Sequence, residues 1–227
     1  MSDAPFILSL DVATLTGVAE GRAGEVPRFY SLDFSGRDHT HADTFAKALR
    51  WIAERLKVGG VDLIAIEAPL RLGAASGQTN ADTVLRLYGL YAVFAAAAVV
   101  RGIRLKDVNV QDARGSFLGN RTVPRDTAKA RAMAMCRAIG WSPNTPDEAD
   151  AGCVHFFAMS KVASSLTPPI STMLQHRIAT QVEQEAIAKA AHRRQRGMEI
   201  AAEKQRKAER KAAREQDAES LFRKQRV

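Results

Sequence analysis

The fold is decided near the start of the chain, by the stretch Phe6-Ile7-Leu8-Ser9-Leu10-Asp11. Its apolar run predicts a buried β-strand, and the run stops at a carboxylate. The same pattern returns in Leu63-Ile64-Ala65-Ile66-Glu67, where the continuous apolar character favours a strand covered on both faces. Two separate strands that each end in an acid predict a sheet edge at which acidic side chains gather.

A further pair of acids lies in Pro146-Asp147-Glu148-Ala149-Asp150-Ala151, at the start of a predicted helix. Asp147 and Asp150 are three residues apart, so they share one face of a helical turn. Clustered acids raise one another's pKa and cost stability unless a divalent cation such as Mg²⁺ or Mn²⁺ neutralises them. The pattern predicts a metal site with the ligands Asp11, Glu67, Asp147 and Asp150. Taken singly, each acid could instead be only a cap, a turn residue or an ion-pair partner.

Strands alternate with helices along the chain, which implies an α/β layered domain. Besides the elements that carry the acids, the patterns predict a strand over residues 29–34, a helix over 42–57, a helix over 82–100, a strand over 105–110 and a helix over 122–139. The helix over 82–100 is apolar enough to be buried against the sheet. Because it contains Arg86 and is short, we do not expect it to span a membrane.

Three stretches of the sequence resemble the RuvC-type Holliday-junction resolvases. They are LSLDVATLTGVA at residues 8–19, the segment from Ile66-Glu67 through GQTNADTVLRLYGL at residues 77–90, and DEADA at residues 147–151. They follow the family's order with similar spacing, so the resemblance covers residues 5–160. It implies a ribonuclease H-like mixed sheet flanked by helices.

The resemblance also implies an activity, namely a structure-selective DNA endonuclease that resolves four-way (Holliday) junctions or related branched DNA. Such an enzyme hydrolyses a phosphodiester with two Mg²⁺ ions per active site, for which Mn²⁺ is the expected substitute. By the resemblance, Asp11 would bridge both ions, while Glu67 and the pair Asp147 and Asp150 would complete their shells. Because a four-way junction is two-fold symmetric, a homodimer is implied as well. The helix over 82–100 is the candidate interface, unless it is an ordinary core helix.

Four residues are expected to contact DNA. Lys129 matches a basic residue that the family places close to the scissile phosphate, and Arg125 is the nearest substitute. Leu70, beside Arg71, stands in the loop where the family commonly presents an aromatic residue that stacks into the opened junction. An apolar wedge can still unstack bases, so this departure bears on junction selectivity more than on catalysis.

Charge divides the chain into two parts. The whole sequence carries a net charge of +8, and residues 177–227 contain 14 Lys and Arg against 8 Asp and Glu. We therefore expect a nuclease domain over residues 1–165 and a basic extension, helical or partly disordered, over residues 166–227. The extension could contact nucleic-acid phosphate or another protein, or it could be a solvated tail.

Other functions remain open from the sequence. A ribonuclease H-like nuclease with another nucleic-acid substrate would use the same acids. DVATLTG at residues 11–17 also resembles the first phosphate loop of actin-like and sugar-kinase ATPases, although the chain is short and a second loop is absent. A non-catalytic nucleic-acid-binding protein is the third alternative. Cys136 and Cys153 are too isolated for a metal site, and no signal-like segment is evident, so we expect a cytoplasmic protein with reduced thiols.

Overall fold

The computed structural model describes residues 4–36, 40–69 and 81–224, without the side chains of residues 202, 206 and 208–224. Its strands are β1 (Phe6–Asp11), β2 (Leu15–Arg22), β3 (Arg28–Asp33), β4 (Leu63–Glu67) and β5 (Arg104–Val108). Its helices are α1 (His41–Lys57), α2 (Ala81–Val100), α3 (Val110–Leu118), α4 (Arg125–Ala138), α5 (Pro146–Val162) and α6 (Thr172–Lys224). The chain divides into two compact units, Met1–Val182 and Glu183–Val227.

The strands form one mixed sheet in the order β3-β2-β1-β4-β5. The pairs β1–β2 and β2–β3 are antiparallel, as the short turns between these strands require. The pairs β1–β4 and β4–β5 are parallel, and α1 and α2 make the crossovers. This sheet with flanking helices is the ribonuclease H-like α/β fold, which confirms the predicted fold class.

Each face of the sheet has its own apolar core, because side chains alternate along the strands. Leu8 and Leu10 of β1 enter the core that α1 and α2 cover. Ile7 enters the opposite core, which is covered mainly by α3, α4 and α5. The side chains of Ser9 and Asp11 follow the parity of Ile7, so the first acid belongs to the α5 face.

Helix α3 was not predicted from the sequence, and the strand predicted over residues 105–110 is too long. The strand β5 ends at Val108, and the side chain of Asn109 then accepts a hydrogen bond from the backbone N–H of Gln111 at 2.8 Å. Asn109 thus caps a helix where the run VNV suggested a continuing strand. Helix α3 ends at Gly119, whose φ of 74° suits glycine.

Helix α2 is less buried than its composition predicts. Only Leu90, Phe94 and Ala98 are buried, at steps of four residues that form one narrow stripe facing the core. By length and composition α2 could cross a membrane, but a soluble protein's core helix passes the same test. The close approach of Gly89 to the ring of Phe45, where a Cβ would lie 2.0 Å from the ring, shows that α2 packs on α1.

The domain limits expected at residues 165 and 166 stay a prediction. In the structure, Ile178 and Val182 of α6 are buried in the core on the α5 face. The first compact unit therefore extends to Val182. The second unit consists of the remainder of α6, whose described side chains are exposed.

Candidate metal centre at the sheet edge

The first two acids meet because β1 and β4 are parallel and in register. Leu10 pairs with Ile66, so the next residues, Asp11 and Glu67, lie side by side at the carboxyl ends of neighbouring strands. By the alternation of side chains, both carboxyl groups belong to the face covered by α5. The two acids are thus placed by strand register alone, before any helix contributes.

Helix α5 adds the other two acids because its first turn lies directly on the sheet. The hydroxyl of Thr145 caps the helix by accepting a hydrogen bond from the N–H of Glu148 at 3.2 Å. Gly17 of β2 pairs with Asp11, and a Cβ at Gly17 would lie 2.0 Å from the carbonyl oxygen of Asp147. Only glycine allows this approach, which brings Asp147 and Asp150 over the end of β1.

Glu148, which directly follows Asp147, faces away from the two helix acids and is only 3% exposed. Its carboxylate accepts hydrogen bonds from the hydroxyl of Ser31 at 2.9 Å and from the backbone N–H of Asn144 at 2.7 Å. The hydroxyls of Ser31 and Thr145 lie 3.1 Å apart. Glu148 therefore ties the start of α5 to β3 and fixes where Asp147 and Asp150 stand. This role was not predicted from the sequence, although the pattern TPDE is a capping signature.

The structure gathers the acids into one cluster. One carboxylate oxygen from each of Asp11, Asp147 and Asp150 lies within 4.8 Å of the others. Glu67 is not part of this triple, but it lies beside Asp11 at the end of the neighbouring strand, and its charge helps to raise the pKa of Asp11.

The raised pKa values of the clustered acids show that nearby positive charges do not balance their negative charges. Burial and the nearby charges of Glu67, Asp150 and Asp147 raise the pKa of Asp11 well above its ordinary value. Burial and the charge of Asp150 raise the pKa of Glu67 to about 7. Burial also raises the pKa of Asp150. Hard cations prefer such a set of carboxylate oxygens, so the donors present fit Mg²⁺ or Mn²⁺.

Two cationic side chains border the cluster. The Nζ atom of Lys129, on α4, lies 2.5 Å from an Asp147 carboxylate oxygen and lowers the pKa values of Asp11, Glu67 and Asp150. Arg114, on α3, lowers the pKa values of Glu67 and Asp150 more than Lys129 does. The site therefore has a positive side formed by α3 and α4.

Arg114 is the clearest residue that the sequence analysis missed, because it lies on the helix that was not predicted. Its Nε is buried, and no described residue accepts a hydrogen bond from it. The capping residue Asn109, directly after β5, is the signal that could have predicted α3. Because β5 lies beside β4, that helix places Arg114 near Glu67.

The remaining predicted site residues fall into two groups. Arg125, exposed at the start of α4, lies near enough to Asp150 to lower its pKa. Leu70 and Arg71 lie outside the described residues, so their expected contacts with DNA stay predictions. His155 was not predicted to be a metal ligand. Burial lowers its pKa to about 4, and its Nδ1 lies 3.1 Å from the hydroxyl of Ser9.

No protein-family model matches the chain, and no curated protein sequence matches it either. RuvC of Thermus thermophilus has a similar structure, with a TM-score of 0.54 and 14% sequence identity over 73% of this chain and 99% of RuvC. RuvC of T. thermophilus in complex with Holliday junction substrate gives a TM-score of 0.53 and 10% identity, with the same shares covered. The yeast mitochondrial Holliday junction resolvase Ydc2 gives 0.52 and 11% identity, over 80% of this chain and 84% of Ydc2. At such identities the similarity shows the ribonuclease H-like fold.

Proposed function

We propose that this protein is a metal-dependent endonuclease that cleaves four-way junctions or related branched DNA. The observation that carries the proposal is the convergence of Asp11, Asp147 and Asp150 within 4.8 Å, beside the buried end of β4. The raised pKa values of Asp11 and Asp150 mark these carboxyl groups as electrostatically strained without a cation. Strained, converging acids at a sheet edge are typical of active sites.

In this proposal Asp11, Glu67, Asp147 and Asp150 hold Mg²⁺ or Mn²⁺. When bound, the metal supplies hydroxide from water at neutral pH and offsets the charge that develops on the phosphate. Glu148 and Gly17 keep the α5 acids in place, the former by its bonds to β3 and the latter by leaving room for the helix. A site held from two strands and one helix is rigid enough to orient a phosphodiester.

Lys129 and Arg114 are proposed to contact the scissile phosphate. Both are close enough to the acids to shift carboxyl pKa values, and the Nε of Arg114 has no acceptor among the described residues. A guanidinium donates in a fork that matches two phosphate oxygens, whereas a lysine acts as a point charge. The two cations thus flank the position at which a phosphate would approach the acids.

Preference for branched DNA is supported by two features besides the fold. A structural neighbour, T. thermophilus RuvC, is described in complex with Holliday junction substrate. Helix α2 of this chain presents an exposed apolar stripe of Leu85, Ala92, Ala96 and Val99, at steps of seven, four and three residues. Such spacing suits packing against a second helix, so we propose a homodimer that pairs two α2 helices and presents two acidic sites to one junction.

The basic extension is proposed to contact the DNA backbone. Residues 177–227 hold most of the chain's excess positive charge, and phosphate contacts release counterions. Because Ile178 and Val182 belong to the core, a truncation should remove only residues 183–227. We expect the truncated protein to bind a junction more weakly and with a shallower dependence on salt. Equal affinity of both proteins across a salt titration would reject this role.

The activity is tested with a labelled synthetic four-way junction, compared with duplex and single-stranded DNA, in Mg²⁺ or in EDTA. We expect paired nicks in the junction that require the metal and disappear in the variant Asp11→Asn. The matched control is Asp126→Asn, since Asp126 is an exposed acid in the first turn of α4 and lies outside the cluster. Cleavage of other nucleic acids alone would indicate a different ribonuclease H-like nuclease. No cleavage of any substrate would favour a binding protein.

A further inference from the structure

A second site lies at the end of the sheet that is remote from the acids. A cleft of about 650 Å³ opens between the start of β1, the end of β2, the start of β3 and the end of α1. Phe6 lines it, whereas Asp11 ends the same strand, so the cleft and the acid cluster are separated by about 17 Å of extended chain. The cleft is therefore a separate feature with chemistry of its own.

The cleft is positively charged. Three arginines, Arg22, Arg28 and Arg55, line it together with one acid, Glu20. Arg55 is neutralised, because its Nε lies 2.6 Å from the carboxylate of Glu20, and both side chains are largely buried. Among the described residues, neither Arg22 nor Arg28 has a carboxylate partner. Arg22 donates one hydrogen bond, from Nη1 to the carbonyl oxygen of Ala4 at 2.9 Å, and this bond leaves its charge uncompensated. Both guanidinium groups can therefore still pair with an anion.

The cleft also has aromatic walls. Phe6, Tyr30 and Trp51 line it and are partly exposed. The guanidinium of Arg28 lies 5.1 Å from the ring centre of Tyr30, and that of Arg55 lies 5.2 Å from the ring centre of Phe6. Planar groups are therefore already stacked along the walls, and a flat heteroaromatic ring can extend these stacks.

The walls are held in place from behind. Trp51 makes edge contacts with two core phenylalanines, at centroid distances of 6.4 Å and 5.9 Å. Burial and the nearby carboxylate of Glu20, the same acid that pairs with Arg55, raise the pKa of Tyr30. Tyr30, Trp51 and Arg55 are thus held in place by the fold, whereas Arg22 and Arg28 are exposed and would become ordered against the ligand.

We propose that this cleft binds a nucleotide, either free or as an unpaired residue of a nucleic-acid strand. A base stacks on the aromatic and guanidinium planes, and the phosphate pairs with Arg22 and Arg28. The volume is within the range of small-ligand sites and accommodates a base with its sugar. Neither an aromatic compound without charge nor a simple anion would use both features.

The proposal is tested by isothermal titration calorimetry in EDTA, which keeps the acid cluster free of metal. The probes are AMP, adenosine, inorganic phosphate and a short single-stranded oligonucleotide. Tryptophan fluorescence gives a second readout, because the chain has two tryptophans and Trp141 is only 2% exposed. We expect saturable binding of AMP with quenching of Trp51, and affinities for adenosine and phosphate that are each at least about tenfold lower.

The variant Arg28→Gln should weaken AMP binding about fivefold, since it removes one charged contact with the ligand. Arg50→Gln is the matched control, because Arg50 is exposed on α1 and does not line the cleft. Asp11→Asn should leave AMP binding unchanged. Circular dichroism melting of each variant shows whether the fold is kept.

The outcomes separate this proposal from the proposed endonuclease. Binding of AMP by a protein that cleaves no DNA would support the cleft and reject the nuclease. Binding of AMP alone would indicate a free nucleotide. Binding of the oligonucleotide alone would indicate a strand if Arg28→Gln weakens it, whereas oligonucleotide binding that Arg28→Gln leaves unchanged would belong to the basic extension and would overturn the proposal. No binding of either ligand, equal affinity for phosphate and AMP, or equal AMP affinity of the wild type and Arg28→Gln would overturn the proposal.

Discussion

Helices α5 and α2 are both apolar, yet they are used in opposite ways. Eleven of the 17 residues of α5 are buried, among them Asp150 and Glu148. Only three of the 20 residues of α2 are buried, and its opposite face exposes Leu85 and Val99. Helix α5, which carries buried acids, thus lies inside the protein. Helix α2, whose buried stripe is apolar, is largely exposed.

This difference separates two tasks of the molecule. Burying an acid costs stability unless it is hydrogen-bonded, as Glu148 is to Ser31 and Asn144, or neutralised. The burial of Asp150 in the cluster therefore supports the proposed metal site. Exposing an apolar face also costs solubility, so an exposed apolar helix indicates a partner. Changes in α5 should therefore alter activity and stability, whereas changes in the exposed stripe of α2 should alter assembly alone.

The largest effect is expected from Asp150→Asn on α5. Loss of one carboxylate from the cluster should reduce the cleavage rate at least about 10²-fold, because charge stabilisation of the transition state is lost. Single-turnover cleavage of a four-way junction measures it, with Asp126→Asn as the control. A rate within twofold of the wild type would show that the cluster is not catalytic.

The second-largest effect is expected at the contact between Gly17 and the start of α5. In Gly17→Ala, the added Cβ meets the carbonyl of Asp147, so the start of α5 must shift, at a cost of about 1–3 kcal/mol in the free energy of unfolding. Urea denaturation measures this cost. Gly197→Ala is the comparison, because nothing lies within 4 Å of its Cβ position and it should not destabilise the protein. Equal stability of Gly17→Ala and the wild type would place α5 elsewhere.

Acid burial also predicts a pH dependence for the metal-free protein. The folded state raises the pKa of Glu67 from an ordinary 4.5 to about 7, so the folded state keeps a proton that the unfolded state has already lost. This contribution to stability is complete below the unfolded pKa and disappears as the pH rises through about 7, at a cost of about 1–3 kcal/mol. Burial of His155, which lowers its pKa to about 4, acts in the opposite direction between about pH 4 and 6.5, so the Glu67 contribution is read by comparison with Glu67→Gln. Thermal melts in EDTA should show that the Tm of the wild type, relative to that of Glu67→Gln, is lower at pH 8 than at pH 5.

Two further melts sharpen this test. Glu67→Gln should flatten the decline in Tm, because the substituted side chain does not titrate, and Mg²⁺ should stabilise the wild type more at the higher pH. The same dependence of Tm on pH in the wild type and in Glu67→Gln, measured in EDTA, would contradict the raised pKa of Glu67.

The smallest change in stability, with the clearest change in assembly, is expected for α2. The double variant Leu85→Glu and Val99→Glu places charge on the exposed stripe and should change the free energy of unfolding by less than about 0.5 kcal/mol. Analytical ultracentrifugation should show a dimer for the wild type and a monomer for the variant. A wild type that is monomeric at micromolar concentration, both free and with DNA, would refute the interface.

Much of the fold could be predicted from the sequence, because the strands that carry Asp11 and Glu67 are short apolar runs that stop at an acid. The spacing of Asp147 and Asp150 predicts their shared helical face. What strand patterns cannot supply is the clearance at Gly17, since that glycine matters only once α5 crosses β2.

Two features of the structure could not be predicted from the sequence pattern, for physical reasons. Helix α3 follows β5 without a polar loop, so the apolar residues around Asn109 resemble a continuing strand. The position of Arg114 near the acids therefore could not be predicted. Helix α2 is apolar on all sides, and composition does not distinguish a core face from an interface face. In both places tertiary packing decides what the local sequence leaves open.

The central claim is that Asp11, Asp147 and Asp150 hold a divalent metal. Anomalous diffraction from crystals soaked in Mn²⁺ tests it most directly. The account predicts a peak between these three carboxylates, with the Nζ atom of Lys129 no longer 2.5 Å from Asp147. An ordered site without a peak, in which Lys129 still pairs with Asp147 at saturating Mn²⁺, would contradict the claim.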